Sequence, residues 1–368
     1  MRERIKVFLK NNSIFLPFVL LLLILFLVFP EKIMETHKFV DWRTIITLLG
    51  LLIITTGIKE SSFLRKISKI TLRKVKNERI LASYLIVLSA VFSMVLTNDI
   101  ALFIIVPLTI SMQESLDNDL KKIVIFEAIA VNVGSALTPI GNPQNIFLWH
   151  RWNNSFVNFV ANMFPLFLTM VVILLIFALT VFKNKTLLFK EKVENIKVNN
   201  KLFIFSLVLL PLFIVAIELD LYVSVLIIFL LYLLLFKKII LRVDYPLIIL
   251  FIIMFIDFHM ISEVGFVSSF IEKLNMNSSS TVFFTSLFSS QIMSNVPASI
   301  FVSKFSANWK AIAYGVSVGG NGLIFASLAN IIAIRFLKGE KILSSYHKYS
   351  IIYLLFSTIL VYFLFYLF

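Results

Sequence analysis

The chain has 368 residues, 60% of them hydrophobic and only 15% charged, with a formal net charge of +14. A soluble domain is about a quarter charged, so this chain has too little charge to cover an aqueous surface, and its solvent must be lipid. With no cysteine, a disulfide framework and a thiolate metal site are excluded. The Lys and Arg residues sit in short loops between apolar runs, which is a topology signal and argues against a nucleic-acid partner.

A spanning helix needs roughly 20 apolar residues. Arg2, Arg4, Lys6 and Lys10 precede the first apolar run, 11–30. Glu31 and Lys32 follow it in place of a small-residue cleavage site, so it is read as a retained helix and not as a cleaved signal. Further runs follow at 43–58 (opening on Arg43), 80–98, 128–149, 152–182, 202–217, 221–236, 311–334 and 349–368. The stretch 245–271 is apolar apart from Asp257 and Glu263, and the shorter runs 100–113 and 281–303 read as re-entrant arms. Five segments (the N-terminal tail, 59–79, 183–201, 237–242 and 335–348) hold 25 of the 34 basic residues. One threading puts all five in the cytoplasm, with the N-terminus inside and the C-terminus ending outside. Segment 43–58 then runs inward and 245–271 outward.

Two halves carry the same features in the same order. Asp41-Trp42 opens a segment that closes at Glu60, and Asp244-Tyr245 opens one that closes at Glu263, both with a separation of 19. Each is followed by a polar triplet, Thr97-Asn98-Asp99 or Ser294-Asn295-Val296, and then by a Gly/Asn-rich stretch, 132–145 or 319–330. Their opposite orientation gives the expected fold: an all-α polytopic membrane protein of two inverted-topology repeats with re-entrant hairpins and broken helices, about 10 spans in all. The expected divisions are a first helix over 1–40, a first repeat over 41–183, a basic cytoplasmic loop with linking helices over 184–243, and a second repeat over 244–368.

Pro139, Pro143, Gly134 and Gly141 cannot all sit in an unbroken helix. Six of the ten glycines fall within 134–141 and 315–322. Non-helical backbone is tolerated at membrane depth only where protein or a water-filled cavity satisfies it. Freed carbonyls there can coordinate a cation, and half-helix N-termini can meet an anion. The competing reading is close helix packing through small residues. Asn98 and Asn295 offer donor and acceptor at the hairpin tips, and Pro297 suits a first helical turn.

Intramembrane charges are functional candidates. Asp99 has 19 uncharged residues before it and 14 after, and it reads either as a Na⁺ or proton site or as a helix cap. Asp257, with His259 nearby, reads as a proton relay or a scaffold hydrogen bond. Glu127 lies close to Lys122 and is expected near the interface, as are Glu60 and Glu263. No Lys or Arg falls in either break or triplet.

The run Leu137-Thr138-Pro139-Ile140-Gly141-Asn142-Pro143-Gln144-Asn145 resembles the first-break motif of the ion transporter superfamily. That group includes arsenite permeases, citrate and other carboxylate transporters, divalent anion/sodium symporters and some sodium/proton antiporters. Thr97-Asn98-Asp99 and Ser294-Asn295-Val296-Pro297 resemble its hairpin tips. Gly319-Gly320-Asn321-Gly322 with Ala326-Ser327 and Asn330 resembles its second break. The likeness covers roughly 41–368. It departs from the dicarboxylate symporters, which carry Ser-Asn-Thr at both tips, and it has Phe325 where glycine is common.

The resemblance implies a scaffold, a mobile transport unit, elevator-type movement and a homodimer. The expected binding residues are Thr97, Asn98, Asp99, Asn132, Ser135, Thr138, Gly141, Asn142, Asn145, Ser294, Asn295, Asn321, Ser327 and Asn330. Na⁺ is the expected coupling ion, near Asn98, Asp99, Asn142 and Asn295, and no other cofactor is expected. The expected function is secondary transport of a small inorganic oxyanion or carboxylate across the cell membrane, coupled to Na⁺ or H⁺. Na⁺/H⁺ antiport through Asp99 and arsenite efflux, with a neutral oxyacid as cargo, stand as alternatives. A membrane-embedded enzyme is disfavoured, because the four His residues lack zinc-motif spacing. No Gly-x-x-x-x-Gly-Lys-Ser/Thr motif exists to couple transport to ATP.

Overall fold

In hydrocarbon every backbone N–H and C=O must find its partner inside the protein, which leaves helices as the spanning element of a strandless chain. The computed structural model describes residues 15–72, 75, 77–113, 121–186, 196–337 and 342–367. Among them no strand forms, only a lone bridge between Asn77 and Thr186. The basic N-terminal tail, residues 187–195 of the basic loop 183–201 and residues 338–341 lie outside the described residues.

The helices, in chain order, are α1 (Phe15–Val28), α2 (Trp42–Glu60), α3 (Phe63–Leu72), α4 (Glu78–Val95), α5 (Asn98–Gln113), α6 (Lys121–Ser135), α7 (Pro143–Arg151), α8 (Phe156–Val181) and α9 (Asn200–Glu218). They continue with α10 (Ser224–Leu235), α11 (Tyr245–Ser262), α12 (Gly265–Glu272), α13 (Ser279–Met293), α14 (Asn295–Val302), α15 (Trp309–Gly319), α16 (Leu328–Arg335) and α17 (Ile342–Tyr366). By length and composition, α2, α4, α8, α9, α11 and α17 can each cross a membrane, and α1 with the bent segment that follows it, at 117°, makes a seventh candidate.

The matched Asp and Glu residues have matched roles. Asp41 and Asp244 each cap a helix, accepting from Thr44 N and Leu247 N. At the far ends, Glu60 pairs with Arg242 and Glu263 with Lys32. Because Arg242 precedes α11 while Phe39, just before α2, stacks on His259 at 4.0 Å, α2 and α11 run antiparallel. The described parts of the other four basic segments collect at the Glu60 end. Asn199 N donates to Ser61 O at 3.0 Å, and Lys59 lies over Phe103, which meets Phe336 edge-on.

Helix α2 is buried almost throughout and packs against α9, α10, α11 and α7. The contact is close because Gly50 faces Phe213 and Gly57 faces Ser206 and Tyr232, whose hydroxyls bond at 2.7 Å. A second body gathers α4–α6 with α8, α13–α16 and α17. Exposed apolar residues recur at helical spacing on α8 (Leu168, Val172, Ile176, Leu179) and α17 (Leu355, Phe356, Ile359, Phe363), which is the pattern of a lipid-facing stripe.

The α4–α6 seam depends on Gly134, where an added Cβ would strike the Ala90 backbone carbonyl. Gly134→Ala is expected to destabilise the protein by about 1–3 kcal/mol through overpacking. Gly265→Ala, in open space, should stay within about 0.5 kcal/mol of wild type. Thermal denaturation of the detergent-purified protein, followed by size-exclusion chromatography, measures both.

Candidate ion and substrate site

Helix α6 runs through Ser135 before the chain leaves helical geometry, and Pro143 starts α7 as its first residue. The segment between them exposes backbone acceptors, and one side chain gathers them. Asn145 Nδ2 donates to the carbonyls of Ser135, Ala136 and Thr138 at 3.1, 3.2 and 2.9 Å. Asn142 caps α7 by accepting from Asn145 N, and its own amide donates to Ser135 O and Oγ. The second break, between Gly319 and Leu328, repeats the device. Asn330 Nδ2 donates to Gly320 O at 2.9 Å and Leu323 O at 3.4 Å. In both halves the accepting carbonyls lie 10 and 7 residues before the asparagine.

Each hairpin tip docks on its own break. Between α4 and α5, Asn98 N donates to Gly141 O at 2.9 Å, and Thr138 Oγ1 donates to Met94 O at 2.6 Å. Between α13 and α14, the chain turns at Ser294, which holds a left-handed φ of 77°. There Gln291 Nε2 donates to Gly319 O at 2.6 Å and Gln291 Oε1 accepts from Leu323 N at 2.8 Å. A Cβ at Gly320 would lie 3.1 Å from Asn295 Nδ2, so glycine lets that tip approach closely, and a larger residue would press its amide back by a few tenths of an ångström.

The two breaks meet at Asn132. Its amide donates to Gly320 O at 3.1 Å and Asn330 Oδ1 at 2.9 Å, and its Oδ1 accepts from Ser327 Oγ at 2.9 Å. Asn321, just past the end of α15, turns back on that helix, donating to Ser317 O. The expected residues thus fall into two linked clusters. Thr97, Asn98, Asp99, Ser135, Thr138, Gly141, Asn142 and Asn145 form one, Ser294, Asn295, Asn321, Ser327 and Asn330 the other, and Asn132 joins them.

Four half-helices, α5, α7, α14 and α16, begin at these tips and breaks and bring the positive ends of their dipoles together. No Lys or Arg belongs to either break or tip. Several buried oxygens there lack a protein partner: Thr97 Oγ1, Asp99 Oδ1, Gln144 Oε1, Asn145 Oδ1 and Asn321 Oδ1. Oxygen acceptors without donors fit a hard cation such as Na⁺, and the asparagine and hydroxyl groups fit a polar anion or oxyacid.

Glu127, expected near the membrane interface, is buried within the protein on α6 and accepts from Thr109 Oγ1, because α6 is enclosed by α4 and α5 soon after Lys122. One sequence expectation needs correction. Among the described residues Asp257 makes no scaffold hydrogen bond; it is buried and neither carboxylate oxygen has a partner. Gln291 and Gln144 were missed as site residues. The signal for Gln291 was available, as a polar residue three positions ahead of the second triplet.

Comparison with known proteins agrees with this architecture. A family model described as citrate transporter matches residues 7–329. The inner membrane protein YbiR of Escherichia coli is 36% identical over 324 residues, covering 88% of this chain and 87% of that protein. An uncharacterized transporter of Methanocaldococcus jannaschii is 35% identical over 342 residues, 90% and 91% of the two chains. A putative transporter arsB of Dictyostelium discoideum is 27% identical over 167 residues, 44% of this chain and 30% of its own.

Removing a break asparagine strands buried carbonyls, at about 1–3 kcal/mol for each unsatisfied group. Asn145→Ala and Asn330→Ala should therefore both lower thermal stability, Asn145→Ala the more because it strands three carbonyls. Asn162→Ala, which removes only contacts to Asn158 one turn back on exposed α8, should stay within about 0.5 kcal/mol.

Proposed function

We propose, on the premise that this chain belongs to the citrate transporter family and is a membrane transporter of the citrate and arsenite permease type, that its cargo is a small inorganic oxyanion or carboxylate. Transport is secondary, coupled to Na⁺ or H⁺. The observation that carries this reading is the meeting of four half-helix N-termini at two tips and two breaks that contain no basic side chain. Such a site holds negative charge by backbone dipoles, and it releases cargo more readily than a fixed Lys or Arg pair would. The orphaned oxygens of Thr97, Asp99, Gln144 and Asn145 supply the place for a co-transported cation beside it.

The proposed division is a first repeat over 41–183 and a second, inverted, over 244–368. The basic Glu60 end, and with it the N-terminus, faces the cytoplasm of a cell membrane. The hairpins and breaks move together as an elevator against α2, α9, α10 and α11, and the protein is a homodimer rather than an enzyme. A second reading, Na⁺/H⁺ antiport, is favoured by one observation, the unpartnered carboxylate oxygen of Asp99.

Proteoliposomes given citrate, phosphate or arsenite, with Na⁺ and pH gradients varied independently, test this. Gradient-dependent uptake of an anion is expected, falling to background in Asn98→Ala, whose protein still inserts. Asp99→Asn should keep residual anion exchange but lose the response to the coupling gradient. Sodium-driven proton movement with no anion flux would replace the proposal by antiport, and normal uptake by Asn98→Ala would remove the site assignment.

A further inference from the structure

Opposite the basic end, a cavity of about 540 Å³ opens between the two halves, lined by Arg151, Trp152, Ser303, Lys304, Phe305 and Ser306 among others. Arg151 is the last residue of α7 and Lys304 lies just past the end of α14, so each half contributes one cation. Both helices start at the deep site, α7 at the first break and α14 at the second hairpin tip. They are 9 and 8 residues long. At 1.5 Å rise per residue the cavity therefore lies about 12–14 Å from that site.

The cations are held in place without direct carboxylate partners. Arg151 Nη2 donates to Ser303 O at 3.1 Å, and its guanidinium lies over the Phe147 and Trp152 rings at 5.9 and 5.4 Å. Lys304 Nζ sits 2.6 Å from His259 Nδ1. Of the nearby acids, Glu263 is committed to Lys32 and His259, and Asp41 caps α2. Among the described residues neither Arg151 nor Lys304 forms a salt bridge. Burial, and then the Arg151 charge, hold the Lys304 amine below its ordinary pKa. Two like charges facing one cavity are relieved by an anion between them.

We propose that this cavity is a second anion site, a vestibule that captures a small oxyanion or carboxylate before or after it occupies the deep site. The inference rests on the anion-transport reading for its role. The guanidinium fork offers paired donors to such a ligand and the ammonium adds a point charge. Trp152, in the lining, provides a probe that needs no transport.

The test titrates citrate, and separately sulfate, into purified protein at constant ionic strength balanced with chloride, and follows tryptophan fluorescence with Trp152→Phe as the blank. A saturable response is expected. Arg151→Gln and Lys304→Gln should each weaken it by about tenfold, the loss of one charge-assisted contact. Arg151→Lys should retain most of it, which separates loss of charge from loss of fold. Asn98→Ala should bind here as wild type does while failing to transport, so a failed uptake screen and a failed vestibule give different results. Absence of saturation, or Gln variants that both titrate as wild type does, would overturn the proposal. So would a response that appears only with phosphatidylglycerol vesicles, which would assign the cavity to a lipid headgroup.

Discussion

The structure turns on one constraint, that a peptide group deep in hydrocarbon cannot be left without a hydrogen-bond partner. Two segments of this chain abandon helical geometry, and in each one asparagine amide replaces several of the missing partners. Asn145 collects three carbonyls, and Asn330 collects two at the same sequence offsets. An asparagine suits this role because its amide offers two donors on a short, stiff stem. Asn145 leaves its own Oδ1 without a protein partner, whereas Asn330 Oδ1 accepts from Asn132 and so ties the second break to the first half.

That space is polar without being basic. Its positive character comes from backbone dipoles at the starts of α5, α7, α14 and α16, and its one charged side chain, Asp99, is an acid. Along α7 and α14, fixed cations appear only where the half-helices end. Attraction by full charges at the mouth and weaker dipolar holding at depth form a graded arrangement, which suits a cargo that must arrive and also leave.

Much of this was legible from residue order. The 19-residue Asp-to-Glu spacing, the triplets and the Gly/Asn-rich stretches located both hairpins and both breaks, and the capping by Asp41 and Asp244 explains why that spacing recurs. What stayed hidden depended on three-dimensional enclosure. Glu127 looked peripheral because Lys122 lies five residues away, yet the packing of α4 and α5 seals it. Asp257 looked like a candidate for a bonded scaffold group, and only the placement of its neighbours shows both oxygens unpaired. Gln291 lies outside the quoted triplet, although its side chain spans Gly319 and Leu323. The role of Asn132 could not be read from either half alone, since its partners lie 188 and 198 residues away.

Asn132 has a consequence for mechanics. Prising the repeats apart at their shared centre would remove one of the two donors on Gly320 O and the donor on Asn330 Oδ1, and would leave Ser327 Oγ without its acceptor. Where α2 and α11 meet α7 and the end of α14, ring packing such as Phe147 on Phe255 is joined by polar contacts of Thr47 with His150 and of Lys304 with His259. The asparagine thus acts as a rivet, fastening the first break to the second.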